Sequence, residues 1–314
     1  MIYDAFTVPL KQLEDCSFCP RNCHVNRFSG KTGFCNSDAS FSIAAICIHH
    51  GEEPAISGNN GICNIFFTNC NLQCIYCQNH QISDNRLTRP FYKMELPDVI
   101  TRIREILDKG VKRVGFVSPS HFIPQMCVII NIIHSLGYKP VWVFNTNGYD
   151  KVETLRSLEG IIDVWLPDFK YMESELAREF SGAFDYPGVA AMALKEMYRQ
   201  KGSVLILNDD NTAESGIIVR HLVLPGHVEN SLKVIRYLAE EISPRIHVSL
   251  MAQYYPTKPV SGHPQLSRGV SENDYSKVVA EMEKSGMYNG WIQEFESSKL
   301  YRPDFDHSNP FENI

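Results

Sequence analysis

The sequence predicts an α/β fold, a partial TIM-like (β/α)6 barrel carrying a Cys-rich amino-terminal extension. Three observations lead there. Six short apolar runs alternate with amphipathic stretches, the pattern of βα units around a parallel sheet. Among ten cysteines, Cys16, Cys19, Cys23 and Cys35 form one spaced set and Cys70, Cys74 and Cys77 another. The 314 residues, 44% hydrophobic and 21% charged, suffice for one full barrel core.

Strands are expected at 61–68, 111–117, 140–145, 161–168, 215–224 and 246–251. Between them, 96–107 carries Ile100, Ile103 and Leu107 at spacings of three and four, one apolar helical face. The stretch 123–136 is more apolar and reads as a largely buried helix. Residues 227–242 follow Pro225-Gly226 with Leu232, Ile235 and Leu238 in helical register. A further helix is expected at 186–200. The apolar run 203–207 has no clear assignment, and 209–213 (DDNTA) reads as a loop. The expected organisation is a Cys-rich extension over 1–60, a barrel core over 61–255, and a tail over 256–314 with one amphipathic helix near 272–284.

The net charge of −6 argues against a large nucleic-acid-binding face. No apolar run approaches the roughly 18 residues of a membrane span. The opening MIYDAFTVPL lacks a basic region followed by an apolar one, so it is not read as a signal peptide. Without an export signal, clustered cysteines read as metal or redox ligands before they read as disulfides. The expectation is a cytoplasmic metalloprotein.

Residues 70–77 read CNLQCIYC, three cysteines at spacing CxxxCxxC just after the first expected strand. Three thiolates on one loop can hold three irons of a cubic cluster, whereas the ordinary 4Fe–4S electron carrier uses four. Cys63 lies seven residues back along an extended strand, away from the loop tip, which leaves one iron open for a non-protein ligand. A loop at the carboxyl end of a barrel strand is where such folds put their chemistry. A zinc knuckle or a group of buried thiols is the competing reading of the spacing alone.

CNLQCIYCQN resembles the signature of the radical S-adenosylmethionine (AdoMet) superfamily. FNTNG (144–148), WLPDFKYM (165–172) and IVRHLVLPG (218–226) are similar to the branch related to pyruvate formate-lyase activating enzyme, and HHGEEPAISG (49–58) to an uncharacterised subgroup of it. The resemblance implies a 4Fe–4S cluster on Cys70, Cys74 and Cys77 whose open iron binds the amino and carboxylate groups of AdoMet. It implies reductive cleavage of AdoMet to methionine and a 5′-deoxyadenosyl radical that abstracts a substrate hydrogen. It further implies Tyr76 against the adenine, a one-electron reductant such as flavodoxin or ferredoxin, and a glycyl radical enzyme or other protein as substrate. A small-molecule substrate, or a non-catalytic Fe–S electron-transfer role, are the alternatives.

Relatives often end the second barrel strand in Gly-Gly-Glu. Here the run is Val117-Ser118-Pro119-Ser120-His121, so Ser118 and Ser120 are expected to replace the carboxylate toward AdoMet. Asn145 stands where activating enzymes commonly have Asp, which removes the charge for a monovalent cation. Asn147 is a further cofactor-binding candidate, although Asn147-Gly148 also reads as turn chemistry. Asp168 and Lys170 share one strand face, as a rim ion pair or as cofactor contacts. Arg220, inside the fifth strand, needs an anion, for which the AdoMet carboxylate is suited. Glu52-Glu53, adjacent on an extended stretch, are expected to point apart within a solvated or structural loop.

Cys16, Cys19, Cys23 and Cys35 have the count for a closed zinc site or a second Fe–S cluster, and the spacing does not choose between them. Cys47, Cys63 and Cys127 read as structural.

Overall fold

Runs that are mostly apolar build the middle of the sheet. Ile62–Phe67, Arg113–Val117 and Val164–Pro167 are buried along their whole length, as strands covered on both faces must be. The structure is a computed structural model and describes residues 6–87, 92–295, 302–307 and 309–312. The first five residues of the amino-terminal stretch read above, and parts of the expected tail, lie outside them.

In chain order the strands are β1 (Phe41–His49), β2 (Ile62–Phe67), β3 (Lys93–Met94), β4 (Arg113–Val117), β5 (Val141–Thr146), β6 (Val164–Pro167), β7 (Ile206–Leu207), β8 (Ala213–Leu222), β9 (His247–Met251) and β10 (Gly290–Ile292). The α-helices are α1 (Pro54–Ser57), α2 (His80–Ser83), α3 (Leu96–Leu107), α4 (Ile123–Ser135), α5 (Val152–Ser157), α6 (Ser174–Ser181), α7 (Tyr186–Lys201), α8 (Val228–Tyr237) and α9 (Glu272–Lys284). One sheet runs β10-β9-β8-β6-β5-β4-β2-β1-β3, with β7 beside β8. From β2 through β10 each neighbouring pair is parallel. Each of β2, β4, β5, β6, β8 and β9 is followed by a helical connection, so the six expected βα units are present. The strand order has two ends, as an open partial barrel requires.

The sheet extends into both flanks of the 61–255 span. β1 pairs antiparallel with β2 from Ile43↔Phe67 to His49↔Ile62, and β10 adds in parallel beside β9. The run 203–207 contributes only the two exposed residues of β7, paired with the start of β8.

Helix α4 follows from its composition. Pro124 sits in its first turn, where a missing N–H costs nothing, and Met126, Ile129, Ile130 and Ile133 are all buried. Each such side chain stabilises by about 1.5–3 kcal/mol. Phe67 stacks on Phe122 at 4.7 Å, joining the start of α4 to the sheet, and Phe116 of β4 stacks on Trp142 of β5 at 5.5 Å. Helix α8 widens into one π-helical turn over Leu238–Ile242. Among the described residues no helix is long and apolar enough to cross a membrane.

Candidate active site

The loop after β2 leaves the sheet through Asn69, whose φ of 64° is left-handed, a conformation Asn tolerates. It brings Cys70, Cys74 and Cys77 to the wall of one cavity of about 540 Å³ at the carboxyl ends of the strands. Each sulfur accepts a hydrogen bond. Cys70 Sγ receives Asn147 Nδ2 at 3.3 Å and Leu72 N at 3.4 Å. Cys74 Sγ receives Ser181 Oγ at 2.9 Å, and Cys77 Sγ receives Ser83 Oγ at 3.3 Å. Asn85 fastens the loop, accepting from Cys70 N at 3.0 Å and donating to Cys70 O at 2.8 Å.

Burial pushes the Cys70 thiol up to about 12 and Cys74 to about 11, and raises Cys77 as well. These sulfurs are therefore poor thiolates unless a metal takes the proton's place. Cys63 is fully buried within β2 and does not line the cavity. Three thiols on one loop, each already met by an N–H or O–H donor, fit a cubic cluster that keeps one iron open.

A charged network occupies the cavity's inner end. Arg220 Nε donates to Asp168 Oδ1 at 2.9 Å, Nη1 to Glu52 Oε2 at 3.2 Å, and Nη2 to Asn145 Oδ1 at 2.7 Å. Lys170 Nζ donates to Asp168 Oδ2 at 2.5 Å. Burial would raise the Asp168 carboxyl, but Arg220 and Lys170 outweigh it and hold it below the usual carboxylate range. Glu52 Oε1 also accepts from Asn64 Nδ2 at 2.9 Å and Asn145 Nδ2 at 3.2 Å.

Three expectations are corrected here. Arg220 takes its anions from Asp168 and Glu52 of this chain, so it does not need the AdoMet carboxylate to be neutralised. Glu52 and Glu53 are not a solvated pair pointing apart. Both line the cavity, because Glu53 begins helix α1 and the chain bends between them. Burial raises the Glu53 carboxyl, whose Oε2 has no hydrogen-bond partner. Ser120 turns away from the cavity and bonds Thr146 Oγ1 at 3.2 Å. Ser118 has φ 51° and starts a short 3₁₀ turn over Pro119–His121, which breaks the strand alternation that would have kept both serines on one face.

Ser118, Asn145, Asn147, Asp168, Lys170, Arg220 and Tyr76 all line the cavity. Tyr76 OH meets Tyr171 OH at 2.6 Å, Tyr171 OH meets Ser181 Oγ at 2.8 Å, and Ser181 reaches Cys74. Asn147-Gly148 is both turn and contact. Gly148 has φ 81°, and a Cβ there would lie 2.2 Å from Asp168 O, while Asn147 donates to the Cys70 sulfur and to Asn71 Oδ1 at 2.8 Å. Ser83, Asn85, Tyr171 and Ser181 escaped the sequence reading because no spacing marks them. Glu52 could have been found through the inward Arg220, which required a nearby carboxylate. His121 is fully buried with Nε2 2.8 Å from Thr68 O, a strut and not a base facing the cavity.

In the amino-terminal set, Cys16, Cys19 and Cys35 are buried and Cys23 half-buried. Cys19 lies within electrostatic reach of Cys16, Cys23 and Cys35. Phe34 N donates to Cys23 Sγ at 3.3 Å. Among the described residues no three Cys, His, Asp or Glu side chains are drawn onto one point as around a single metal ion. That holds for both cysteine sets. Cys47, Cys63 and Cys127 are free thiols in β1, β2 and α4.

Residues 64–186, from β2 to the start of α7, match the model of the Radical SAM superfamily. The superfamily that this stretch matches is one of Fe–S enzymes that use AdoMet, of oxidoreductase type broadly. The chain is 28% identical over 283 residues to an uncharacterized protein of Methanocaldococcus jannaschii, covering 86% of this chain and 75% of that one. The FeFe-hydrogenase maturase HydG from Carboxydothermus hydrogenoformans is similar in fold, with a TM-score of 0.51 and 14% identity over 74% of this chain and 52% of that one. Streptococcus suis SuiB bound to S-adenosylmethionine has a TM-score of 0.49 and 16% identity over 76% of this chain and 52% of that one. The chain spans about half the length of these solved structures.

Proposed function

We propose that this chain holds a 4Fe–4S cluster on Cys70, Cys74 and Cys77 and uses it with AdoMet to abstract a hydrogen atom from a substrate in the adjoining cavity. When bound and reduced, the cluster supplies the electron that cleaves AdoMet to methionine and a 5′-deoxyadenosyl radical. The observation that carries this reading is the three-thiol loop opening on a cavity with no fourth cysteine in its wall.

The chain's own residues bind and position. Asn147, Ser181 and Ser83 hydrogen-bond the three sulfurs, which orients them and tunes the potential. Tyr76 offers a buried ring beside the cluster loop, suited to stacking on adenine. Lys170, Asp168, Asn145 and Ser118 offer donors and acceptors to the polar parts of AdoMet, with Arg220 fixing Asp168 in place. Cys16, Cys19, Cys23 and Cys35 belong to the same reading as a separate metal set, zinc or a second Fe–S cluster, in an extension over 1–60 outside the barrel core. The electron comes from a one-electron carrier of the flavodoxin or ferredoxin type, and the setting is the cytoplasm.

For the substrate, the activase-like motifs support a glycine backbone of a partner enzyme. A small molecule is the second reading, favoured by Pro303 and Phe311, which wall the cavity from the tail. Anaerobic reconstitution, reduction and addition of AdoMet should yield 5′-deoxyadenosine and methionine. Yield no greater than that of a Cys74→Ala control would sink the proposal. A glycyl-radical EPR signal in a co-purified partner would select the first substrate, and deuterium transfer from a small molecule the second.

A further inference from the structure

Arg27 lies between the amino-terminal cysteines and the barrel and is 1% exposed. Its Nη1 donates to His121 O at 2.8 Å and its Nη2 to Cys35 Sγ at 3.4 Å. The Phe18 ring lies 5.1 Å from its guanidinium carbon, and Nε has no hydrogen-bond partner. None of these neighbours is an anion. A guanidinium does not give up its proton in proteins, and burying one without a counter-charge is costly. Arg220, the arginine at the cavity, has two carboxylates.

We propose that Arg27 is the built-in counter-cation of a dianionic tetrathiolate metal centre on Cys16, Cys19, Cys23 and Cys35. Four thiolates around an oxidised 4Fe–4S cluster, which need not converge on one point, carry a net double negative charge, as they would if drawn together around one zinc, and either would neutralise Arg27 with charge to spare. Four neutral thiols would not. Formation of the centre releases the four thiol protons to solvent and needs no change of redox state in the zinc case. Gly33 is a second, independent sign of a built cradle. A Cβ at that position would lie 2.5 Å from Cys23 Sγ and 2.6 Å from Cys23 Cβ, so the chain wraps this sulfur too closely for any side chain.

The centre would brace the active-site loop. Arg27 grips His121, which follows β4, and His121 in turn reaches Thr68, which follows β2. Asn85 donates from Nδ2 to both Phe34 O at 2.9 Å and Cys70 O at 2.8 Å. Arg21 Nε donates to Asn71 O at 2.9 Å. Metal in the extension would therefore fix the start of the cluster loop from one side.

This inference rests on reading the amino-terminal thiols as a metal set, and not on AdoMet cleavage, so its test uses the full chain with Cys70, Cys74 and Cys77 all changed to Ala. That variant, purified anaerobically, is assayed for zinc, iron and acid-labile sulfide. One zinc per chain, or four irons with four sulfides, supports the centre and identifies it. Metal no higher than after additional Cys19→Ser and Cys35→Ser changes overturns it. In the same background, Arg27→Gln should release metal to EDTA about tenfold faster, the scale of an outer-shell loss, while Arg27→Lys stays near the parent rate. Equal release from Arg27→Gln and parent would overturn the counter-cation role. Far-UV circular dichroism identifies any variant that has lost its fold, and Gly33→Ala, predicted to loosen metal by crowding Cys23, then provides the second reading, with unchanged release counting against the centre.

Discussion

Asn147 Nδ2 lies 3.3 Å from the sulfur of Cys70, and the same amide nitrogen reaches Asn71 Oδ1 at 2.8 Å. One side chain at the end of β5 thus bonds the first cysteine and orders its neighbour. Hydrogen bonds to cluster sulfurs raise reduction potential by stabilising the extra negative charge of the reduced state. Asn147→Ala should lower the cluster potential in an EPR-monitored titration and slow AdoMet cleavage about 10–100-fold, the usual scale for an outer-shell loss. An unchanged potential would contradict this role.

Arg220 stands between two carboxylates that would repel each other without it. Its removal in Arg220→Met leaves Glu52 without its cation and Asp168 with Lys170 alone, which should cost about 3–5 kcal/mol in a urea titration. Adding Glu52→Gln should recover part of the loss, since the carboxylate left without a cation is then gone and Asp168 keeps Lys170. Additive destabilisation by the two changes would show that the residues do not act as a pair.

Burial raises the Asp150 carboxyl from 3.8 to about 6, although Ser120 and Thr146 hydrogen-bond it. The folded state therefore holds this proton more tightly than the unfolded chain does. Its contribution to stability is fully present below pH 3.8 and is lost as pH rises through about 6. At about 1.4 kcal/mol per pH unit, the shift amounts to about 3 kcal/mol. Asp150→Asn should flatten the fall in unfolding free energy between pH 4 and 7, and an identical pH profile in the two proteins would refute the assignment.

Phe305 packs edge-on against Phe66 at 5.4 Å, Phe311 lies 4.0 Å from His49, and both come from the tail over the cavity. Phe305→Ala together with Phe311→Ala should release the tail locally while the barrel stays folded, because apart from these rings the tail is tied down by polar contacts such as those of Gln81 with Asp304 and Phe305 N. Limited proteolysis should then cut the tail first. AdoMet cleavage without substrate should rise as water reaches the cavity. Cleavage of the barrel at the same rate as the tail would mean that the two fold as one unit.

The sequence made the parallel strands legible because a strand buried on both faces is mostly apolar, as in Ile62–Phe67, where Asn64 is the one polar residue. Helices α3 and α9 were equally clear from their period. β1 was not, although FSIAAICIH is apolar enough, because the cysteines around it drew the reading toward a metal-bound loop. β10, at three residues, has no period to detect. Site residues were found where a motif marked them and missed where the backbone left a regular path. Glu53 and Ser120 show the physics. Predicting their direction assumed extended chain, and a helix start in one case and a left-handed residue in the other reversed it.

The antiparallel pairing of β1 with β2 has a practical outcome for handling the molecule. β1 supplies the hydrogen-bond partners for the outer side of β2, the strand that delivers the cysteine loop. A shortened chain beginning near residue 60 would leave that side as a bare row of N–H and C=O groups on an apolar strand, the arrangement that recruits another molecule's strand. Such a truncate should precipitate by edge-to-edge association, and keeping residues 41–49 should be what separates a tractable fragment from an insoluble one.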